Sequence, residues 1–132
     1  MAELHLEFVS PESVLFSGDV DQVDLPGAEG DMGILAGHAP LVTTLRPGVV
    51  TIFRGGAREA VVVTGGFAEV GPGGLTVLAD RAMAREDFDT ATLANEIKDT
   101  EEDVADATSE TQRDKLARHL DQLKTLQAAL TQ

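Results

Sequence analysis

Leu4, Leu6 and Phe8 alternate with Glu3, His5 and Glu7 at the start of the chain. A period of two with one apolar face predicts a half-buried strand. Val23 and Leu25 alternate in the same way with Gln22 and Asp24. Val49 to Phe53 and Ala60 to Thr64 are β-branched runs joined by Arg54-Gly55-Gly56-Ala57, which predicts a hairpin. Phe67 to Val70 and Leu75 to Ala79 flank a second turn, Gly71-Pro72-Gly73-Gly74. Short strands at regular spacing, with no helical segment between them, predict an antiparallel β-sandwich or barrel.

The period changes at Glu86. All 13 glycines lie at or before Gly74. Beyond the change, Leu93, Ile97, Val104 and Ala107 recur at helical spacing, as do Leu116, Leu120, Leu123 and Leu130, with Leu126 widening the second stripe. Asp87 is expected to cap the first helix, with Asp89 near its positive end. Ser109-Glu110-Thr111-Gln112 fits a capping box for the second. Asp106-Ala107-Thr108-Ser109 breaks the pattern between them, so the two helices should pair as an antiparallel hairpin. The expected architecture is α+β with the classes segregated: a sandwich over residues 1–84 and a helical hairpin over residues 85–132. No internal repeat or low-complexity tract interrupts it.

Charge narrows the partners. Ten Lys and Arg face 23 Asp and Glu, for a net charge of −13, and both halves share the excess. A phosphate backbone would repel that field, so nucleic-acid binding is not expected. The chain has no cysteine, which removes disulfides, thiolate catalysis and Cys-based zinc sites. Trp and Tyr are absent too, so the core must be built from aliphatics and five Phe. The start, Met1-Ala2-Glu3-Leu4-His5, has neither a basic n-region nor a long apolar run, and no segment reaches the roughly 18 apolar residues of a membrane span. The expectation is a soluble intracellular chain without direct membrane insertion.

Candidate chemistry is thin. Gly27-Ala28-Glu29-Gly30-Asp31-Met32-Gly33 is glycine-rich but lacks the Gly-Lys-Ser/Thr ending of a phosphate loop, and it places Glu29 and Asp31 where phosphate would sit. A surface loop with positive-φ glycines is the better reading. His5, His38 and His119 fall in three different elements, with no metal-ligand spacing. His38, in Gly37-His38-Ala39-Pro40, has no nucleophile to serve, and no Gly-x-Ser-x-Gly elbow occurs. Asp99, Glu101, Glu102, Asp103 and Asp106 lack the glycine and ligand spacing of a calcium loop and read as a solvated helix face. No catalytic, metal or cofactor site is expected. The apolar stripes of the hairpin must pack on the sandwich, on another protein, or on both.

One ordered set of residues is more specific. Phe16-Ser17-Gly18 is followed by Pro26-Gly27, Gly30, Gly33, Gly37-His38-Ala39-Pro40-Leu41 and Leu45-Arg46-Pro47-Gly48; Gly65-Gly66-Phe67-Ala68-Glu69-Val70 and Val77-Leu78-Ala79-Asp80 come later. In order and spacing this resembles the epsilon-subunit family of bacterial F-type ATP synthases, over roughly residues 4–89. The resemblance implies a ten-stranded sandwich docked on the gamma subunit and the ring of c subunits. It would turn with both as the central stalk, do no chemistry itself, and lie peripherally at the cytoplasmic face of the inner membrane. It implies that Glu29, Asp31 and His38 face the c ring. It also implies that Arg113, Lys115, Arg118 and Lys124 could contact the alpha/beta catalytic head, as an inhibitory tail does. Some members bind ATP through Ile/Leu-Asp-x-x-Arg-Ala at the start of the first helix. Here the stretch is Phe88-Asp89-Thr90-Ala91-Thr92-Leu93, and Thr92 stands where arginine is needed, so no nucleotide site is expected. The rival reading is an acidic interaction module whose hairpin is a partner-binding coiled coil.

Overall fold

The computed structural model describes residues 3–131; Met1, Ala2 and Gln132, at the outer ends of the two predicted units, lie outside the described residues. Ten strands come first: β1 (Leu4–Val9), β2 (Val14–Val20), β3 (Gln22–Gly27), β4 (Gly30–Leu35), β5 (Leu41–Leu45), β6 (Gly48–Arg54), β7 (Ala57–Val63), β8 (Gly66–Gly71), β9 (Gly74–Ala79) and β10 (Ala82–Ala84). A 3₁₀ turn, Arg85–Asp87, leads to α1 (Thr90–Asp106) and α2 (Glu110–Leu130). The segregated α+β architecture and its ten strands agree with expectation.

The strands form two halves, β10-β7-β6-β3 with β4 beside β3, and β5-β8-β9-β1-β2, hydrogen-bonded at the corner where Gly27 meets Leu45. Their inner faces share one core, including Leu6, Phe8, Val23, Leu25, Ile34, Val50, Val63, Leu75 and Val77. Opposite the corner, the Arg54 guanidinium stacks 5.2 Å from the centre of the Phe16 ring, linking β6 to β2. One pairing departs from an all-antiparallel sandwich: β1 lies parallel to β9, with Leu6 opposite Leu75. A parallel pair needs no connecting turn, so no turn signal announces it.

Gly66 marks a close approach between strands. A Cβ there would come within 2.0 Å of the Leu78 carbonyl oxygen, and the backbone sits at φ +136°. Only glycine meets both demands.

The outer face of the β6–β7 pair is covered by the hairpin. Val61 and Val63 point into the sandwich, whereas Val62 points out and joins Leu93, Ile97, Leu123, Leu126 and Leu130, with Val49, Phe88 and Leu120 at the margin. The uninterrupted run Val61-Val62-Val63 is explained by burial on both faces. Arg85 donates from Nη2 to the Leu130 carbonyl at 2.9 Å, joining the linker to the negative end of α2.

The cap of α1 is Asp89, not Asp87. Asp89 accepts from the Ala91 and Thr92 amides, while Asp87 lies in the 3₁₀ turn before it. Phe88 is extended between them and packs in the same cluster as Leu93, a hydrophobic staple that fixes where the helix begins. Ser109 caps α2 as expected, accepting from the Gln112 amide at 3.1 Å. Thr100 occupies a seam position of α1, 5% exposed, with its hydroxyl returned to the Glu96 carbonyl at 2.7 Å.

Candidate docking surfaces

Glu29 and Asp31 flank the tip of the β3–β4 hairpin. The sequence suggested a loop here, but the ladder continues to Gly27 opposite Gly30 and leaves only Ala28 and Glu29 in the turn. Close packing makes this possible: a Cβ on Gly27 would meet the Met32 methyl at 2.7 Å and the Gly30 carbonyl at 2.8 Å. The Ala28 amide donates to the Thr44 carbonyl at 2.9 Å, and the Arg46 amide to the Pro26 carbonyl at 2.8 Å. The Arg46 side chain donates from Nε to the Gly27 carbonyl at 2.7 Å and pairs through Nη2 with Asp31. Among the described residues, no cation lies within ion-pair distance of Glu29.

His38 is not brought to this tip. It follows β4 at the opposite end, beyond Gly37 (φ +83°), with its Nδ1 on the Ala39 carbonyl. Five strand steps at about 3.3 Å each put roughly 17 Å between the two ends of β4.

Among the described residues, none packs over the outer face of the second half-sheet as the hairpin does over the first. Its registers align Thr44, Phe67, Leu78, Val9 and Val14 in one row across five strands. Val14 is 64% exposed, Phe67 43%, and Val42, two residues along β5 from this row, 66%. Sequence reading did not isolate this row, because its members come from five separate segments. Next to it lies a polar network. His5 contacts Glu7 at 2.8 Å and Asp19 at 3.2 Å, and Ser17 donates to Glu7 at 2.7 Å. The hydrogen bond to Glu7, then that to Asp19, raises the His5 pKa above its ordinary value; the Ser17 hydroxyl, then His5, lowers that of Glu7.

The four basic residues of α2 do not form one patch. At about 100° per residue, Arg113 and Lys124 fall on one side of the helix and Lys115 and Arg118 on another. Arg113 is used internally, donating to the Ala107 carbonyl at 3.2 Å, and Lys124 lies 3.8 Å from Glu101. At the start of α1, Asp89 also accepts from the Thr92 hydroxyl at 2.7 Å. This bond, followed by those from the Thr92 and Ala91 amides, lowers the Asp89 pKa. An open cleft of about 800 Å³ lies beside it, between the β1–β2 connection and the hairpin, with Glu12, Asp80, Asp87, Asp89 and Glu96 in its wall against Arg81 and His119. Among the described residues no group of three or more His, Asp or Glu could hold a metal ion, and no helix is long and apolar enough to cross a membrane.

Residues 3–85 match the family described as ATP synthase, Delta/Epsilon chain, beta-sandwich domain. The chain belongs to the ATP synthase delta/epsilon family. Similarity to relatives extends through the helices. The ATP synthase epsilon chain of Parvibaculum lavamentivorans is 52% identical, over 96% of this chain and 97% of its own length. That of Afipia carboxidovorans is 47% identical, over 99% and 96%. In fold, the chain is similar to one in the cryo-EM structure of Euglena gracilis mitochondrial ATP synthase, OSCP/F1/c-ring, with a TM-score of 0.82 at 24% identity, covering 99% of this chain and 81% of that one. Members of the delta/epsilon family are non-catalytic, and this chain is accordingly a central-stalk subunit of an F-type ATP synthase. The rival coiled-coil module is thereby set aside. Its physical basis fails too, because the leucine stripe is spent inside the chain on Val62 and on the facing helix.

Proposed function

We propose that this rotor subunit meets its neighbours through three separate surfaces. The outer face of the second half-sheet docks on the gamma subunit, the β3–β4 tip faces the c ring, and the hairpin reaches the alpha/beta head. The subunit then sits peripherally at the cytoplasmic face of the bacterial membrane. The observation that carries this reading is the bare apolar row Phe67–Leu78–Val9–Val14, on the side of the sandwich away from the hairpin. A row of that kind suits a permanent interface, which is commonly more apolar than the rest of the surface. The c-ring contact is taken to be the tip that carries Glu29 and Asp31, whose acidity fits a basic partner; His38 lies beyond the far end of β4. For the head, Lys115 and Arg118 are the better candidates, because Arg113 and Lys124 have partners inside the hairpin.

The same chemistry argues against nucleotide binding. Asp89 is occupied as a helix cap, Thr92 is its donor, and the neighbouring cleft is mostly acidic.

The test uses the full chain. Phe67→Glu and Val14→Asp alter exposed side chains, so the fold should persist while binding to isolated gamma falls at least tenfold. Unchanged gamma binding in both variants, with normal circular dichroism, would move the gamma contact elsewhere.

A further inference from the structure

Arg46, fifteen residues away from Asp31 in sequence, brings a cation to the tip of the β3–β4 hairpin. Its guanidinium spans the turn. Nε is bound to the Gly27 carbonyl on the incoming strand, and Nη2 to the Asp31 carboxylate on the outgoing one. Its own amide is bound to the Pro26 carbonyl, and the Ala28 amide to the Thr44 carbonyl. Both sides of a two-residue turn are thereby tied to the end of β5 and the β5–β6 connection. Asp31 remains 83% exposed at its side chain, but its charge is matched. Among the described residues, Glu29 is the carboxylate of the tip that has no ion-pair partner.

We propose that Arg46 is the positioning residue of this docking tip: it clamps the turn from both strands and cancels the charge of Asp31, so that Glu29 alone is presented to a cationic group on the partner. The inference rests on the c-ring reading above. Arginine suits the task because its planar fork serves two acceptors at fixed geometry, which a lysine ammonium on a flexible stem does not. A tip that transmits torque to a neighbour must also be stiff, and a lone β-turn is not.

The proposal assigns different roles to two carboxylates that sequence treats alike. Glu29→Gln removes a direct contact, so docking in membranes should weaken up to about fivefold, the range of a single exposed pair. Its dependence on salt should flatten as well. Asp31→Asn should leave the salt dependence as in the parent chain. Arg46→Ala should accelerate amide exchange at Ala28, Glu29 and Gly30 in the isolated full chain, with the rest of the sandwich unchanged. It should also lower ATP-driven proton pumping by complexes reconstituted with it, while binding to isolated gamma stays constant. Arg46→Ala/Asp31→Asn should be no worse than Arg46→Ala alone, because the two residues act as a unit. Arg46→Lys, which keeps the charge and the fold, should restore pumping only in part.

Three results would overturn the assignment. Full rescue by lysine would mean that charge suffices without the clamp. A double-variant loss equal to the sum of two measurable single losses would mean that Arg46 acts independently of Asp31, as a residue touching the partner itself would. Unchanged exchange at the turn in Arg46→Ala would mean that nothing was clamped. The c-ring reading fails separately, if Glu29→Lys leaves pumping and docking unaltered while gamma binding is normal.

Discussion

Val62 and Val63 are adjacent, both buried, and point in opposite directions, so one substitution made at each position separates the two layers of the molecule. Val62 is 2% exposed and lies under the hairpin; Val63 is 0% exposed and lies inside the sandwich. Val→Ala removes two methyl groups, about 0.8 kcal/mol each in transfer terms. A cavity contribution brings the loss to about 2–3 kcal/mol where neighbours cannot collapse. At Val63 the loss should appear in global unfolding, as a fall in Tm of about 10 °C or more for a domain of this size. At Val62 it should fall on hairpin docking, because the side chain contributes to the cluster formed with Leu93, Ile97 and Leu123. Amide exchange across α1 and α2 should then accelerate by about 30- to 150-fold, while core amides of β1, β8 and β9 keep their protection. Native-state exchange followed residue by residue measures both quantities in one sample. If Val62→Ala accelerates sandwich and hairpin together, in the same proportion as Val63→Ala, the two units unfold as one and the division at residues 84–85 has no energetic meaning.

Gly66→Ala should prevent folding of the sandwich or cost several kcal/mol, since the new Cβ would meet the β9 backbone in a left-handed segment; expression with a near-parental Tm would contradict this. The Asp89 cap and the His5 network should respond to pH with opposite signs. The Asp89 pKa is depressed, so its stabilisation of α1 is present above 3.8 and is lost as pH falls through the lower folded value. The His5 pKa is raised, so its contribution is present below 6.5 and is lost as pH rises through the higher folded value. NMR titration of the two side chains, with helicity followed in Asp89→Asn as the pH-insensitive control, checks both directions. Titration calorimetry with millimolar ATP should give no saturable heat, and resonance shifts centred on residues 88–93 would refute the absence of a nucleotide site.

Much of the fold was legible where one face is wet and one is dry. β1, β3, β6, β7, β8 and β9 carry alternation or β-branched runs between glycine turns, and the hairpin carries its heptad-like stripes. The first part of β4, through Gly33, reads as loop because Gly30 and Gly33 dilute its pattern, leaving Ile34 as the strand's one fully buried side chain. β2 lies at a sheet edge and buries only Val20. Neither has enough apolar alternation to outweigh its glycines. Two acidic residues precede the first helix, and the packing of Phe88 in the cluster with Leu93, not the carboxylate alone, selects Asp89 over Asp87 as its cap. The docking surfaces were the least legible. Glu29 and Asp31 share a tip, but the cation that distinguishes them arrives from a different connection, and the apolar row exists only once five strands are in register.

The parallel pairing of β1 with β9 also constrains how the chain can be made. Leu6 has no partner on that side until Leu75 has been synthesised. At about 5–20 residues per second, the first strand waits roughly 4–14 s after leaving the ribosome. Meanwhile it holds only the β1–β2 ribbon, and an isolated two-stranded hairpin is marginal in water. The sandwich should therefore acquire its cooperative stability late, when β9 inserts between β8 and β1 and closes the half-sheet. Such long-range closure makes folding slow for the size of the domain. It also makes the nascent β1–β2 ribbon, with Leu4, Leu6 and Phe8 along one face, the segment with most need of a chaperone.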